Sequence, residues 1–272
     1  MALDLCNIPK DKQTYQMCLE SVRTNGAQLK YVNEAFQNNE LCLEAVRQSG
    51  YALAYVKEQT PEICLEAINR DGWAIQYVQN QNPEICLAAV KNDGWALRYV
   101  QNQTPRICLT AVKENGMALE YVKNQTPEIC LAAVEQDGMA LKHVKVQTPE
   151  ICLAAVKQDE SALRYVKNQT SELCLEAVKQ NGWLIGFVKE PTQEIILEAI
   201  KQSGLTLEYV PRSKQTLAIA IAALKQNPAC REYLAVKFRK PEVYKAAGYD
   251  YKPEDLAPSR SRTKRERTEA RH

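Results

Sequence analysis

Thr60 to Gln81 reads TPEICLEAINRDGWAIQYVQNQ, and this 22-residue unit recurs head to tail through most of the chain. Copies begin at Asn38, Asn82, Thr104, Thr126, Thr148, Thr170 and Thr192, and at Thr14 once two residues are inserted around Phe36. Nine units therefore fill residues 14–213. A chain built on one short period is an array in which each unit buries its apolar face against its neighbours. The expected architecture is all-α: one continuous α-solenoid of about nine 22-residue helix-turn-helix repeats with helical caps.

The unit itself predicts two helices. Thr60 before Pro61 is an N-cap followed by the residue best tolerated in a first helical turn, and Glu62 suits the positive end of the helix dipole. Ile63, Cys64, Ala67 and Ile68 give helical three-and-four spacing, with Leu65 widening the stripe. The helix is expected to stop at Gly72 in a left-handed turn, and the same slot holds Gly26, Gly50, Gly94, Gly116, Gly138, Gly182 and Gly204. Glu160 breaks this series, so its turn is expected to be remodelled and Glu160→Gly to raise the melting temperature. A second, shorter helix runs through WAIQYVQN, with Ala74, Ile75, Tyr77 and Val78 on its apolar face. Isolated helices this short are marginal in water, so packing between units must hold them. A leucine-rich repeat has a similar period but needs an LxxLxL pattern that is absent.

Beyond the array, residues 1–13 read as an N-terminal cap, 214–258 as C-terminal capping helices and 259–272 as a disordered basic tail. The chain is 45% apolar and 25% charged, ordinary for a folded soluble domain. Its longest apolar stretch, LAIAIAAL at Leu217 to Leu224, is too short to span a bilayer. The start, MALDLCNIPK, lacks the features of a secretory signal. No membrane association and a cytoplasmic location are expected.

Eight of the ten cysteines share one slot: Cys18, Cys42, Cys64, Cys86, Cys108, Cys130, Cys152 and Cys174. Repeats advancing by one helix-packing distance, roughly 8–10 Å, hold successive cysteines beyond disulfide reach and too far apart to share a zinc ion. Ile196 fills the slot in the ninth unit. These are expected to be small buried thiols in a reducing compartment, with no metal and no cofactor.

The repeated ICLxAVxxxG and ALxYV, joined by a TPE turn, resemble the bacterial and viral repeats classed as domain of unknown function 4116. The resemblance covers about residues 14–213. It implies a helical-repeat fold and supplies no catalytic residues, and the units here are shorter than that family's usual spacing.

Chemistry is sparse. There are two histidines: His272 is the last residue, and His143 occupies a slot otherwise held by Tyr31, Tyr55, Tyr77, Tyr99, Tyr121, Tyr165 and Tyr209. No nucleophile triad, phosphate loop or HExxH motif can be assembled, so no enzymatic activity is expected. The tyrosine slot, with Phe187 in one unit, is expected to pack between repeats rather than stack bases. Gln59, Gln81, Gln103, Gln125, Gln147 and Gln169 are expected to hydrogen-bond the connecting turns.

Positions that vary between units are the better candidates for a site. After the glycine slot come Ala27, Tyr51, Trp73, Trp95, Met117, Met139, Ser161, Trp183 and Leu205. Three residues on come Lys30, Ala54, Gln76, Arg98, Glu120, Lys142, Arg164, Gly186 and Glu208. The two slots neighbour each other on the short helix and hold residue types enriched at interface hot spots. Tyr51, Trp73, Gln76, Trp95, Arg98, Met117, Glu120, Met139, Lys142, Arg164 and Trp183 are therefore the expected partner-binding residues. The expected function is a non-enzymatic scaffold presenting an extended surface to a protein partner.

One alternative is a nucleic-acid-associated protein anchored by the tail, through Arg260, Arg262, Lys264, Arg265 and Arg267. From Ser259 onward the net charge is +4 against a chain total of +2, leaving about −2 on residues 1–258, where a phosphate-tracking array should show a basic stripe. Another is a delivered effector or viral factor acting on host proteins.

Overall fold

The computed structural model describes residues 4–249. The expected basic tail, with Arg260, Arg262, Lys264, Arg265 and Arg267, lies outside the described residues. Among the described residues there are helices, turns and bends but no strand. They fall into two compact units that divide between Asp159 and Glu160.

The first unit holds seven ten-residue α-helices: α1 (Tyr15–Thr24), α2 (Asn39–Gln48), α3 (Pro61–Arg70), α4 (Pro83–Asn92), α5 (Pro105–Glu114), α6 (Pro127–Gln136) and α7 (Pro149–Gln158). Each of the first six is followed by a six-residue 3-10 helix: Gly26–Tyr31, Gly50–Tyr55, Gly72–Tyr77, Gly94–Tyr99, Gly116–Tyr121 and Gly138–His143. Each α-helix packs on the next α-helix, and each 3-10 helix lies against the α-helices on either side of it. The result is an α-solenoid with long helices in one row and short ones in another.

The second unit repeats the plan. It opens with the 3-10 helix Glu160–Tyr165. It continues with α8 (Ser171–Gln180), Gly182–Phe187, α9 (Gln193–Gln202), Gly204–Tyr209, α10 (Leu217–Gln226), Pro228–Tyr233 and a short α11 (Pro241–Ala246). The stretch read as capping helices thus builds one more pair of long and short helices, followed by α11.

The capping chemistry is as the sequence implies. Thr60 Oγ1 accepts from the Ile63 N–H at 3.3 Å, and Asn82 Oδ1 from the Ile85 N–H at 2.9 Å. Ile63, Cys64, Ala67 and Ile68 are buried. The short helix is wound to three residues per turn, which the buried side chains favour. Gly72, Ile75 and Val78, three apart, eclipse one another on the inner face, while Trp73 and Gln76 eclipse on the outer face. Asp71 caps this helix, its Oδ1 accepting from the Trp73 N–H at 2.9 Å. Asp93, Asn115, Asp137 and Asn181 do the same in their repeats.

The glycine slot is not a left-handed turn. Gly248, outside the array, is the one described residue at positive φ. The repeat glycines are needed because the next repeat's backbone comes too close for a side chain. A Cβ on Gly72 would stand 2.8 Å from the Ala89 carbonyl oxygen, and one on Gly94 2.5 Å from that of Ala111. Glu160 accordingly starts its 3-10 helix without positive φ and accepts a 3.5 Å hydrogen bond from Asn181 Nδ2. The stability gain expected for Glu160→Gly from relief of a left-handed residue loses its basis.

The glutamine slot is a staple between repeats. Gln81 Nε2 donates to the Ile75 carbonyl at 3.4 Å and to the Tyr99 carbonyl at 2.9 Å, while its Oε1 accepts from the Gln101 N–H at 3.0 Å. One amide thus joins the ends of two successive 3-10 helices. The Cys86 thiol makes a 3.8 Å contact with the same oxygen. Gln13 and Gln215 make equivalent staples near the two ends of the array. All eight slot cysteines and Cys230 are buried free thiols, and Cys6 is exposed. Burial raises the thiol pKa values, to about 11 at Cys42 and about 12 at Cys230.

Candidate functional site

The variable slots lie along the outer edge formed by the 3-10 helices. In the first unit Tyr51 is 44% exposed, Trp73, Trp95, Met117 and Met139 are half-buried, and Gln76, Arg98, Glu120 and Lys142 are exposed. In the second unit Arg164 is exposed and Trp183 is 46% exposed.

Each aromatic residue in the first variable slot packs edge-on against the tyrosine of the following repeat. Ring centroids are 6.1 Å apart for Tyr51 and Tyr77, and 5.7 Å for both Trp73–Tyr99 and Trp95–Tyr121. In the second unit Trp183 and Tyr209 form the same pair at 6.2 Å. Edge-to-face pairs of this kind contribute about 0.5–1.5 kcal/mol beyond area burial. Trp73 is held further by its indole Nε1–H, which donates to Asp93 Oδ2 of the next repeat at 2.6 Å. Burial raises the Tyr51 hydroxyl pKa, and the Asp71 carboxylate adds to the effect. The slot therefore has two jobs: its inner side joins consecutive repeats and its outer side faces solvent.

The second slot places a guanidinium over the rings of two repeats, whereas Ala54 leaves the Tyr51–Tyr77 step without a long side chain. The Arg98 guanidinium sits 5.8 Å from the Tyr99 ring and 5.6 Å from the Tyr121 ring. Arg164 lies 4.7 Å from the Phe187 ring. Gly186 bears no side chain, and the Tyr209 ring lies against its backbone, where a Cβ would meet it at 3.0 Å. Cations over aromatic faces are attracted by about 0.5–1 kcal/mol at exposed sites. The edge thus keeps one backbone plan while its charge changes from Gln76 to Arg98, Glu120 and Lys142.

The tyrosine slot, expected to pack between repeats, does so and also forms part of this surface. Tyr55 and Phe187 are 38% and 41% exposed. His143 breaks the row: its Nε2 is buried without a hydrogen-bond partner, 4.0 Å from Glu120 Oε2. Burial lowers its pKa, with Lys142 acting in the same direction and Glu120 against it.

The long-helix face is different in character. It carries half-buried leucines and shallow open grooves, one lined by Leu65, Pro83, Leu87 and Arg106. No group of His, Cys, Asp and Glu side chains among the described residues could hold a metal ion. No described helix is long and apolar enough to cross a membrane.

Stacked pairs of long and short helices with a variable aromatic edge define a tandem helical-repeat protein. The chain belongs to the family described as Domain of unknown function (DUF4116), whose model matches residues 15–59, 60–103, 105–148, 126–171 and 148–191. Each match takes in two of the 22-residue units, and the last three are staggered by about one unit, so either unit can open the pair. No curated protein and no solved structure matches the chain.

Proposed function

We propose that the protein is a non-enzymatic repeat scaffold that binds a protein partner along the 3-10 edge. The observation that carries this reading is the division of labour at Trp73, Gln76, Trp95 and Arg98. The aromatic rings are fixed by Tyr99, Tyr121 and Asp93, so they offer rigid contact surface at little entropic cost. The exposed residues between them differ from repeat to repeat and so can encode a partner's sequence of charges. Interface hot spots favour such preordered Trp, Tyr and Arg residues. The reading also takes the protein as cytoplasmic, which its free thiols support.

A photo-reactive amino acid at position 76 or 98 tests the assignment, with positions 91 and 113 on the long helices as controls. Partner adducts are expected from the edge positions. Adducts formed only at the control positions would move the binding surface to the long helices.

A further inference from the structure

The end of the second unit carries a charge pattern that the repeat does not require. Between residues 211 and 249 eight Lys and Arg residues face two Glu, whereas residues 4–159 hold 15 basic and 19 acidic residues. Some cations are paired, as in Lys57–Glu34, Lys201–Glu198 and, within this stretch, Lys214–Glu190. Lys237, Lys240 and Lys245 are exposed and make no ion pair among the described residues.

An internal comparison shows that the fold does not need them. The short 3-10 turn Glu34–Phe36 precedes α2, and its counterpart Val236–Phe238 precedes α11. The first turn and its helix start read NEAFQNNE, with Glu34 and Glu40 as the only charges; the second reads AVKFRKPE, with Lys237, Arg239 and Lys240 against Glu242. The same local structure thus forms with the charge inverted. Arg239 has a structural task, its guanidinium donating to the Leu234 and Glu232 carbonyls at 3.0 and 2.7 Å. Among the described residues no such bond holds Lys240 or Lys245.

Lys240 also breaks a local rule. It is the N-cap of α11 and makes no side-chain cap bond, where α1 to α10 all have a Thr or Asn cap bonded to the helix. A missing cap destabilises a helix, and a cation is unfavourable at the positive end of the helix dipole. A residue that costs stability at an exposed site is where function is to be sought.

We propose that Lys237, Lys240 and Lys245 form a binding surface for a nucleic-acid strand, recognised through its phosphodiester backbone. The surface offers mainly charge, with Val236 the exposed apolar residue beside it. The apolar residues of α11, Val243 and Tyr244, are turned into the core, and at six residues the helix is too short to lay an apolar face into a bilayer. At the patch Phe238 is half-buried with Lys237 Nζ 4.8 Å from its centroid, which sets an aromatic edge among cations as strand-binding surfaces do. It uses none of the residues assigned above to a protein partner.

The test measures binding of the full chain to a fluorescent single-stranded 20-mer, as RNA and as DNA, over a range of salt. It uses the wild type, a Lys237→Gln, Lys240→Gln, Lys245→Gln variant, and a variant with Arg262, Lys264, Arg265 and Arg267 changed to Gln. Circular dichroism checks the fold of each. The lysine variant is expected to bind at least tenfold more weakly, with the log–log salt slope reduced by about 2, from about 0.7 per lost contact to a single strand. The tail variant is expected to keep its dependence on the three lysines, shown by combining the two sets. Wild-type-like binding by the lysine variant overturns the proposal, as does absence of wild-type binding at low salt. Equal, lysine-dependent binding to poly-glutamate or to phosphatidylserine vesicles overturns the nucleic-acid assignment in favour of an acidic peptide or a membrane surface.

Discussion

Gly94 and Ala111 belong to successive repeats, and the space between them admits no side chain: a Cβ on Gly94 would lie 2.5 Å from the Ala111 carbonyl oxygen. Gly94→Ala should therefore force the two repeats apart and destabilise the protein by about 1–3 kcal/mol, the usual range for overpacking, read as a lower urea midpoint. Gly94→Asn separates the two explanations of the glycine. A left-handed residue tolerates asparagine, whereas a crowded contact makes it at least as harmful as alanine. Near-wild-type stability for Gly94→Asn would contradict the close-contact account.

This glycine marks where the sequence stops being readable. The period, the Thr60 cap and the burial of the cysteine slot all follow from local chemistry, and each is found as expected. A glycine after a helix is equally consistent with positive φ and with a close backbone, because both favour the residue without a Cβ. Pro228 was the legible discriminator: it occupies the same slot in the pair after α9, and proline cannot take positive φ. The outer edge was half legible. Trp73 and Arg98 stood out by varying, but their contacts with Tyr99 and Tyr121 depend on inter-repeat geometry that no single unit encodes. The charged end was missed because Lys237, Lys240 and Lys245 fall in a stretch where the repeat motif fades.

His143 should make stability depend on pH. Its folded pKa lies below the ordinary histidine value of 6.5, so between the folded and unfolded values the unfolded chain binds more protons. Stability from this residue therefore rises with pH through that window and is lost as pH falls below it. Urea midpoints between about pH 5 and 7 should climb for the wild type, and His143→Tyr, which restores the residue of the other repeats, should flatten that component. An unchanged slope in the variant would mean that His143 is not the responsible group.

The buried thiols should be inert in the native protein. Cys6 is exposed, whereas the other nine cysteines are buried and burial raises their pKa, as at Cys64 and Cys230. Thiolates, not thiols, react with alkylating agents. Brief iodoacetamide treatment followed by intact mass should give at most one adduct natively and ten in denaturant, one per cysteine. Rapid native labelling at Cys86 or Cys108 would show that the repeats open locally.

The central claim, that variable residues on the 3-10 edge choose a protein partner, is tested most directly by comparing two charge-altering variants in parallel affinity purifications from cells. One carries Gln76→Glu, Arg98→Glu and Lys142→Glu on the edge; the other carries Lys91→Glu and Lys113→Glu on the long helices. All five positions are exposed, so both variants should fold. The account predicts that proteins recovered with the wild type are lost by the edge variant and kept by the long-helix variant. Retention by the edge variant together with loss by the long-helix variant would contradict it.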